Sequence, residues 1–359
     1  MIAAALALVT WADVNAALHP YFEQEHIAGS NFAGFVERVE QSAAQRLREG
    51  MADHLVFYVL QSRAFTAAEP IVPARSAREF HYSGAIPAAV RARMDAFLAA
   101  PKQNERARLL TAVLPQIDGE DAYRRAMRFL YEKEFASRSR HGDDRREFVA
   151  GLYATRGLAT DTAPDASTAA VAELASLAAR EPDTRFRRVL IVGPGLDLAP
   201  REHLREDAPP RSRQPVAIAG ALRQHGLAAP DLIIDCADIN PIVVDAINAE
   251  HKPGIAASVR NIVTAHPEPA VYDLIVATNI LLYLPRLELL LALNNIHGAL
   301  APGGYFLHNE TRAEIEEFTA PLGFAPINAR MVRLGARGST GLYDAAVLHR
   351  KPPPARQQQ

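Results

Sequence analysis

The sequence predicts an α/β fold in which helices cover both faces of a parallel sheet, preceded by a mostly helical N-terminal domain. From residue 187 onward, short aliphatic runs alternate with segments of helical period. Such alternation is typical of a parallel sheet that is buried on both faces. Between residues 31 and 140, by contrast, apolar residues recur at helical spacing and strand-like runs are few.

The first domain is predicted from its helical segments. The segment AYRRAMRFLYEKEFA places four residues on one helical face: Tyr123, Met127, Leu130 and Tyr131. The segment PAAVRARMDAFLAA has the same period, with Pro87 near its start. We predict a helical domain over residues 1–150 and a linker or lid over 151–186.

Composition limits the function. The chain has 359 residues, 39 basic and 41 acidic, and a formal net charge of −2. Because the charges nearly balance, we expect no nucleic-acid partner. No stretch approaches the ~20 apolar residues of a membrane span, so none is predicted. The single cysteine, Cys236, excludes an internal disulfide and a multi-thiolate zinc site, and we predict no metal.

The two ends of the chain are interpreted separately. MIAAALALVTWADVNAA is apolar over the length of a signal peptide but lacks a basic n-region. It is either a first buried helix of a cytoplasmic protein, which is our prediction, or an export signal over Met1–Ala16. The polar tail over 351–359 is predicted to be disordered.

The first predicted strand is the aliphatic run Val189–Val192, which continues directly into Gly193-Pro194-Gly195. Ligands of parallel sheets bind beyond the carboxyl ends of the strands, where glycine lets a ligand approach the backbone closely. A tight turn with no ligand would show the same three residues. Both interpretations stay open at this point.

The elements that follow alternate as expected for such a sheet. QPVAIAGALRQHG is a predicted helix with Gly226 as its stop signal, and PIVVDAINAEH is another, with Pro241 in its first turn. RLELLLALNNIHGAL is the third predicted helix. The remaining predicted strands are DLIIDCADI, YDLIVATNI, GGYFLHNE and YDAAVLHR.

Spacing around the glycine turn bears on the ligand. A dinucleotide site requires a third glycine three residues after the second, but that position is Leu198, and the chain after it is no helix start. Asp238, at the end of the second predicted strand, lies 43 residues after Gly195. Its carboxylate can accept both hydroxyls of a ribose. The pattern predicts a ligand with a ribose that need not carry a pyrophosphate.

Residues 187–310 resemble the class I S-adenosylmethionine-dependent methyltransferases. VLIVGPGLD is similar to their first motif, and DCADINP to their second-strand motif, in which Asp238 matches the ribose-binding acid. YDLIVATNILLYL is similar to the fourth-strand motif, and ALAPGGYFLHNE to the loop and fifth strand. The resemblance implies a Rossmann-like methyltransferase sheet over 187–350 and S-adenosyl-L-methionine as the cofactor.

A narrower resemblance, carried by TNILLYL and HNE, is to the glutamate methyltransferases of bacterial chemotaxis receptors, which also have a helical domain before the catalytic one. The methyl acceptor stays open: a small molecule or a protein carboxylate. An alternative function is a catalytically silent domain that binds the cofactor as a sensor or scaffold. The missing third glycine argues against a nicotinamide-dependent oxidoreductase.

The resemblance also implies site residues. Asn279 and Tyr283 follow the fourth strand, where the methyl group should point, and they are the predicted catalytic residues. A helical i, i+4 spacing would place both on one side of the pocket. Alternatively, Tyr283 is a core aromatic and Asn279 a turn cap. The predicted cofactor-binding residues are Gly193, Pro194, Gly195, Asp197, Asp238, Ile239, Asn261 and Asn279.

Two of these assignments follow departures from the family pattern. In the glycine motif of the methyltransferases, the third position is two residues after Gly195 and is Asp197 here, which we expect to bind the amino group of the methionine moiety. Asn261 is the polar side chain expected at the adenine edge, although a surface-loop role stays open. Many members of the family have an acidic residue in the first strand, and this chain has Ile191 at that position.

Overall fold

The computed structural model describes residues 7–101, 104–112, 118–163, 165–200, 206–266, 270–334 and 342–353. The chain divides into two compact units. The sheet unit comprises Met1–Ser42, Ala163–Pro194 and Ser212–Gln359. The helical unit comprises Ala43–Thr162 and Gly195–Arg211. These bounds differ from the predicted domains, because the chain crosses between the units several times.

Seven strands form the sheet, and their order in space is β3-β2-β1-β4-β5-β7-β6. β1 to β5 run parallel, whereas β7 is antiparallel to both β5 and β6. The predicted parallel sheet is therefore confirmed, with an antiparallel pair at one end. The strands are β1 Phe186–Val192, β2 Ala228–Asp238, β3 Ile255–Val259, β4 Tyr272–Ala277, β5 Leu300–His308, β6 Ala325–Leu334 and β7 Leu342–Arg350.

The helices follow in chain order. They are α1 His19–Gln24, α2 Phe32–Gln61, α3 Pro73–Ser83, α4 Ala88–Ala99, α5 Glu105–Thr111, α6 Gly119–Glu134, α7 Gly142–Ala154, α8 Thr168–Arg180, α9 Gln214–Gln224, α10 Pro241–Ala249, α11 Arg286–Ala299 and α12 Ala313–Thr319. Short 3-10 helices lie at Trp11–Asp13, Ala16–Leu18, Ala136–Ser139 and Leu281–Tyr283. Among the described residues, no helix combines the length and the apolar character needed to cross a membrane.

β1 lies at the centre of the sheet, with β2 on one side and β4 on the other. Val189 is level with Ile234 of β2 and Leu274 of β4. Both faces of β1 are covered, which explains why its sequence is continuously aliphatic rather than alternating. The predicted helices at α9, α10 and α11 are also confirmed, and Asn240 caps α10 by accepting a hydrogen bond from the Ile242 amide at 3.0 Å.

The N-terminal stretch belongs to the sheet unit rather than to a separate helical domain. The Val9 amide donates to the Thr264 carbonyl at 2.8 Å, and Leu18 and Phe22 are fully buried in the same core as Phe306. Described residues 7–16 form a bridge and short 3-10 turns, so the buried-helix interpretation of this stretch is wrong for them. Residues 1–6, and 354–359 of the predicted tail, lie outside the described residues.

The helical unit has its own core, built on the predicted face of α6. Tyr123 and Met127 are 1% and 0% exposed and pack against α3 and α2. The tyrosine hydroxyl bonds to Ser76 of α3 at 2.7 Å. Arg93 of α4 is also buried, and its guanidinium donates to the Val59 carbonyl at 2.8 Å. A buried cation of this kind is tolerated because backbone carbonyls satisfy its donors.

Candidate functional site

The carboxyl ends of β2, β1 and β4 carry Asp238, Gly193 and Asn279. These strands are neighbours in the sheet and run parallel, so their carboxyl ends share one edge. Polar groups and bare backbone at this edge are where a parallel sheet places a ligand. The structure thus brings together these three residues, which were predicted from separate motifs.

Gly193 is required by its surroundings in two ways. Its φ is +63°, in the left-handed region, and a Cβ at this position would lie 2.1 Å from Cδ1 of Ile280. Its amide donates to the Ala237 carbonyl at 2.7 Å, which fixes the turn against β2. The face of this glycine is therefore covered by a side chain of the protein, so the tight-turn interpretation accounts for Gly193 without a ligand. Pro194 follows it as the last residue of this segment of the sheet unit.

Gly195 begins the next segment of the helical unit, and protein atoms explain it too. Its φ is +61°, and a Cβ there would lie 2.0 Å from Oγ1 of Thr162. The adjacent Leu196 pairs with the 160–162 segment: its amide donates to the Thr160 carbonyl at 2.9 Å, and its carbonyl accepts from Thr162 at 2.7 Å. The carboxylate of Asp161 accepts hydrogen bonds from the Leu198 and Ala199 amides at 2.7 and 2.8 Å.

Asp197 is held inside the helical unit. Its side chain is 1% exposed and accepts from Nη2 of Arg106 at 3.1 Å and from the Arg211 amide at 2.7 Å. Arg106 is equally buried and also donates to the Ala208 carbonyl at 3.1 Å. The Asp197 carboxylate thus already neutralises the buried guanidinium of Arg106. A contact between Asp197 and the amino group of the cofactor stays a prediction.

Asp238 is the last residue of β2, and its side chain is almost wholly buried. One carboxylate oxygen accepts the Asn240 amide at 2.8 Å, which links the strand end to the cap of α10. A carboxylate has about four acceptor positions, and the predicted contact with a ribose would use two of them. Ile239 follows Asp238 directly and is half-buried. In contrast, Asp235 of the same strand is paired with Arg188 at 2.8 Å.

Asn261 uses its amide group within the protein. Its oxygen accepts the Val263 amide at 3.0 Å, and its nitrogen donates to the carboxylate of Glu40 at 3.1 Å. Thr264 bonds to the same carboxylate. Burial raises the pKa of Glu40, and the bond from Asn261 opposes that rise. Through these contacts Asn261 holds the loop after β3 in place. A contact between Asn261 and the adenine of the cofactor stays a prediction.

Asn279 has an unusual backbone and a tight set of partners. Its φ is +60°, a conformation that asparagine tolerates better than most residues. Its amide donates to Oδ1 of Asn309 at 2.8 Å, and Nδ2 of Asn309 donates back to Oδ1 of Asn279 at 2.8 Å. Asn309 Nδ2 also lies 3.1 and 3.2 Å from the two carboxylate oxygens of Asp344. The residues that follow β4 and β5 are thereby joined to β7.

Asp344 brings a carboxylate to this polar group. Burial raises its pKa, while the bonds from Asn309 and the Ala345 amide oppose that rise. A carboxylate with a raised pKa is a better proton acceptor than an ordinary one. Neither Asn309 nor Asp344 was predicted as a site residue. Asn309 lies in the quoted HNE motif, whereas Asp344 lies 65 residues after Asn279 and carries no local signal.

The structure does not place Asn279 and Tyr283 on one helical face, so that part of the prediction is wrong. The chain after β4 forms only the three-residue 3-10 helix Leu281–Tyr283, and left-handed Asn279 lies before it. Asn279 is exposed, whereas the Tyr283 side chain is 9% exposed. The burial of Tyr283 favours the core interpretation of this aromatic residue.

A second contact missed by the sequence joins α9 to the end of β4. Nε2 of Gln214, the first residue of α9, donates to Oγ1 of Thr278 at 2.6 Å, and both side chains are buried.

Cys236 of β2 is also buried, which raises the pKa of its thiol and disfavours the thiolate. Within the described ranges, no cluster of three or more His, Cys, Asp or Glu side chains could hold a metal.

Comparisons with known proteins give only distant likenesses. No protein-family model matches the chain, and no curated protein matches it. Among solved structures, the chain is similar to the [4+2]-cyclase SpnF, with 15% identity over 52% of this chain and 83% of that one, at a TM-score of 0.36. An N-methyltransferase, NodS from Bradyrhizobium japonicum WM9 in complex with S-adenosyl-L-homocysteine, is 15% identical over 52% and 88%, at 0.34.

A third likeness is to an S-adenosylmethionine-dependent methyltransferase from Mesorhizobium loti, with 14% identity over 52% of this chain and 97% of that one, at a TM-score of 0.36. Scores at this level carry no argument about cofactor or reaction. The narrower resemblance to chemotaxis receptor methyltransferases is not shown by these comparisons.

The sequence motifs lie on consecutive parts of the sheet. VLIVGPGLD spans the end of β1 and its turn, DCADINP the end of β2, and YDLIVATNILLYL β4 with its 3-10 helix. ALAPGGYFLHNE covers β5. The motifs occupy the expected strands of a mixed sheet whose last-numbered strand inserts antiparallel beside β5. The sheet unit therefore has the Rossmann-like fold that the resemblance to class I S-adenosylmethionine-dependent methyltransferases implies.

Proposed function

We propose that the sheet unit binds S-adenosyl-L-methionine and transfers its methyl group to an acceptor. One observation carries the proposal: Asp238 and Asn279, from two separate motifs, lie at the shared carboxyl edge of neighbouring parallel strands, on either side of the β1 turn. In an open α/β sheet this edge is the usual ligand site.

Asp238 fits the ribose of this cofactor. Its carboxylate lies at the strand end and has about four acceptor positions, a chemistry that suits the two hydroxyls of a ribose. The bound cofactor would supply a methyl group already activated on a sulfonium. The protein therefore needs mainly to align the acceptor and to exclude water.

The group formed by Asn279, Asn309 and Asp344 is the proposed acceptor end of the site. It follows β4 and β5 at the same edge of the sheet. The Asp344 carboxylate can accept a proton from a hydroxyl or an amine. It would also repel a carboxylate acceptor placed beside it. We therefore favour a small molecule with an O–H or N–H nucleophile over a protein carboxylate.

Titration calorimetry tests the cofactor. We expect S-adenosylmethionine and S-adenosylhomocysteine to bind with micromolar dissociation constants, about −8 kcal/mol. NAD is the matched control, since it shares the adenosine, and it should not bind measurably. Binding of NAD without binding of S-adenosylhomocysteine would refute the proposal.

Transfer of a labelled methyl group to a fractionated small-molecule extract tests the reaction. We expect label in a product that carries a methylated oxygen or nitrogen. Label found only in protein would contradict the favoured acceptor class. Cofactor binding with no transfer to small molecules or protein would identify the unit as a silent sensor or scaffold.

A further inference from the structure

The helical unit contains a cavity that is independent of the proposed methyl-transfer site. Its volume is about 520 Å³, within the usual range of small-molecule sites. α3 and α6 form two of its walls, and α7 with the 3-10 helix Ala136–Ser139 closes a third side. All its lining residues belong to the Ala43–Thr162 segment of the helical unit.

Flat ring surfaces line one part of this cavity. His81 of α3 stacks on Tyr131 of α6, with ring centroids 3.5 Å apart and planes 8° apart. Phe80 and Met127, both buried, lie beside them, and Phe148 of α7 lines another side. Broad planar and polarisable surfaces of this kind favour an aromatic guest over a compact polar one.

The polar lining is predominantly cationic. Three arginines and one glutamate line the cavity, so its lining carries a formal charge of +2 with histidine neutral: Arg124, Arg128, Arg140 and Glu132. Two of the arginines already have acidic partners, Arg124 at 3.5 Å from Glu120 and Arg140 at 2.9 Å from Asp144. The Arg140 guanidinium also lies 4.1 Å from the ring centroid of Phe148.

Arg128 differs from these two arginines. Within the described parts of the chain, it makes no hydrogen bond or ion pair. It lies on α6 one turn before Glu132 and three residues before Tyr131, next to the stacked rings. A guanidinium beside an aromatic wall is a forked donor for a planar anion.

We propose that this cavity binds an aromatic molecule that carries a carboxylate or sulfonate, with its rings against Tyr131 and His81 and its anionic group on Arg128. One further cavity, which Arg128 also lines, has the carboxylates of Glu49, Asp53 and Glu132 in its wall, and these disfavour an anion. Another cavity of the helical unit is apolar. That cavity, of about 260 Å³, is lined by α2, α4 and α6 with residues such as Val56, Met94 and Phe97, and no arginine lines it. It suits neutral apolar guests, so charge distinguishes it from the cavity that Arg128 and the stacked rings line.

The test uses the full chain and two fluorescent probes. 8-Anilinonaphthalene-1-sulfonate is the aromatic anion, and N-phenyl-1-naphthylamine is its neutral counterpart. Arg128→Gln should weaken binding of the sulfonate about tenfold and leave binding of the neutral probe within about twofold. Arg138→Gln is the matched control, because Arg138 is an exposed arginine paired with Glu134 outside the cavity, and it should change neither.

Filling each cavity locates the probe. Ala136→Trp should block the sulfonate from the arginine-lined cavity, whereas Met94→Trp, in the apolar cavity, should not. Equal sulfonate affinity in wild type and Arg128→Gln would overturn the proposal, as would loss of sulfonate binding only in Met94→Trp. Because Arg128 is exposed, Arg128→Gln should fold like wild type. Its sulfonate affinity therefore tests the proposal even if a tryptophan variant misfolds.

Discussion

Asp238 shows how one residue can be predicted for binding and also be used by the fold. Its carboxylate accepts a hydrogen bond from the backbone amide of Asn240, and the side-chain oxygen of Asn240 in turn caps α10. The proposed ribose bonds would add to that contact rather than replace it. The two roles can be separated, because cofactor affinity and folding stability are measured independently.

Asp238→Ala should cost about 2–4 kcal/mol of cofactor affinity, since two charge-assisted hydrogen bonds to the ribose would be lost. The free energy of unfolding should fall by less, and the bond to Asn240 accounts for about 1 kcal/mol of that fall. Calorimetry with S-adenosylhomocysteine and urea unfolding measure the two effects. Asp235→Ala is the control, because that carboxylate pairs with Arg188. An unchanged dissociation constant in Asp238→Ala would move the ribose site elsewhere.

Asn279 allows the side chain to be separated from the backbone. Asn279→Gly keeps the left-handed backbone and removes the amide, so methyl transfer should fall at least tenfold, about 1.4 kcal/mol, with stability nearly unchanged. Asn279→Ala should lower turnover similarly and also lose about 1–2 kcal/mol of stability, because alanine is disfavoured at positive φ.

The affinity for S-adenosylhomocysteine should stay within about twofold in both variants, because an orienting contact to the acceptor acts on turnover. A variant that lost binding and turnover equally would place Asn279 against the cofactor. Tyr283→Phe should be nearly silent in both assays if that residue is core, as its burial indicates.

At the scale of elements, the strands buried on both faces were the most predictable. Val189–Val192 is aliphatic throughout because β2 and β4 cover its edges and helices its faces. β6 was missed because it is an edge strand whose residues alternate between half-buried and exposed positions. α8 was missed within the predicted linker, since its many alanines give little hydrophobic contrast although they favour helix.

The contact between β5 and β7 contains a buried histidine pair with a pH signature. His308 and His349 stack with ring centroids 5.2 Å apart, and both are nearly inaccessible to water. Burial lowers the pKa of His308 to about 3 and also lowers that of His349. Folding therefore favours their neutral forms. Their contribution to stability is present above the unfolded pKa of about 6.5 and is lost as the pH falls towards the folded values.

We expect the free energy of unfolding to fall between pH 6.5 and 4 by up to about 1.4 kcal/mol per pH unit for each histidine. His308→Phe should reduce this slope, because the aromatic contact is kept and the titrating group is removed. Urea unfolding at several pH values measures the slope in both proteins. Carboxyls with raised pKa values, such as Glu40 and Asp53, act in the opposite direction and are common to both. Identical slopes would show that the pair does not titrate on unfolding.

At the scale of the whole molecule, the sequence motif and the structural units do not coincide. The segment VLIVGPGLD resembles one continuous motif, but the boundary between the units falls between Pro194 and Gly195. Nothing local in the sequence reveals this, because Thr162, which lies against Gly195, and Arg106, which pairs with Asp197, are at least 30 residues earlier in the chain. The residues at strand ends could thus be found from sequence, whereas their long-range partners could not.

Asp197 decides between a binding role and a structural one. If its main role is to neutralise Arg106, Asp197→Ala leaves a buried, uncompensated arginine and should lower the free energy of unfolding by about 3–5 kcal/mol. An Arg106→Met, Asp197→Leu double variant removes both charges and should recover most of that loss, since apolar residues can replace a buried pair. Urea unfolding of the full chain measures both variants against wild type.

Binding of S-adenosylhomocysteine to the same proteins completes the test. For a purely structural Asp197, the double variant should recover cofactor affinity together with stability. For a carboxylate that binds the amino group of the cofactor, the double variant would recover stability but remain weak in binding, because no acceptor replaces the lost carboxylate. We expect the first result, since the carboxylate accepts both a guanidinium and the Arg211 amide within the helical unit. The second result would restore Asp197 to the cofactor site predicted from the sequence.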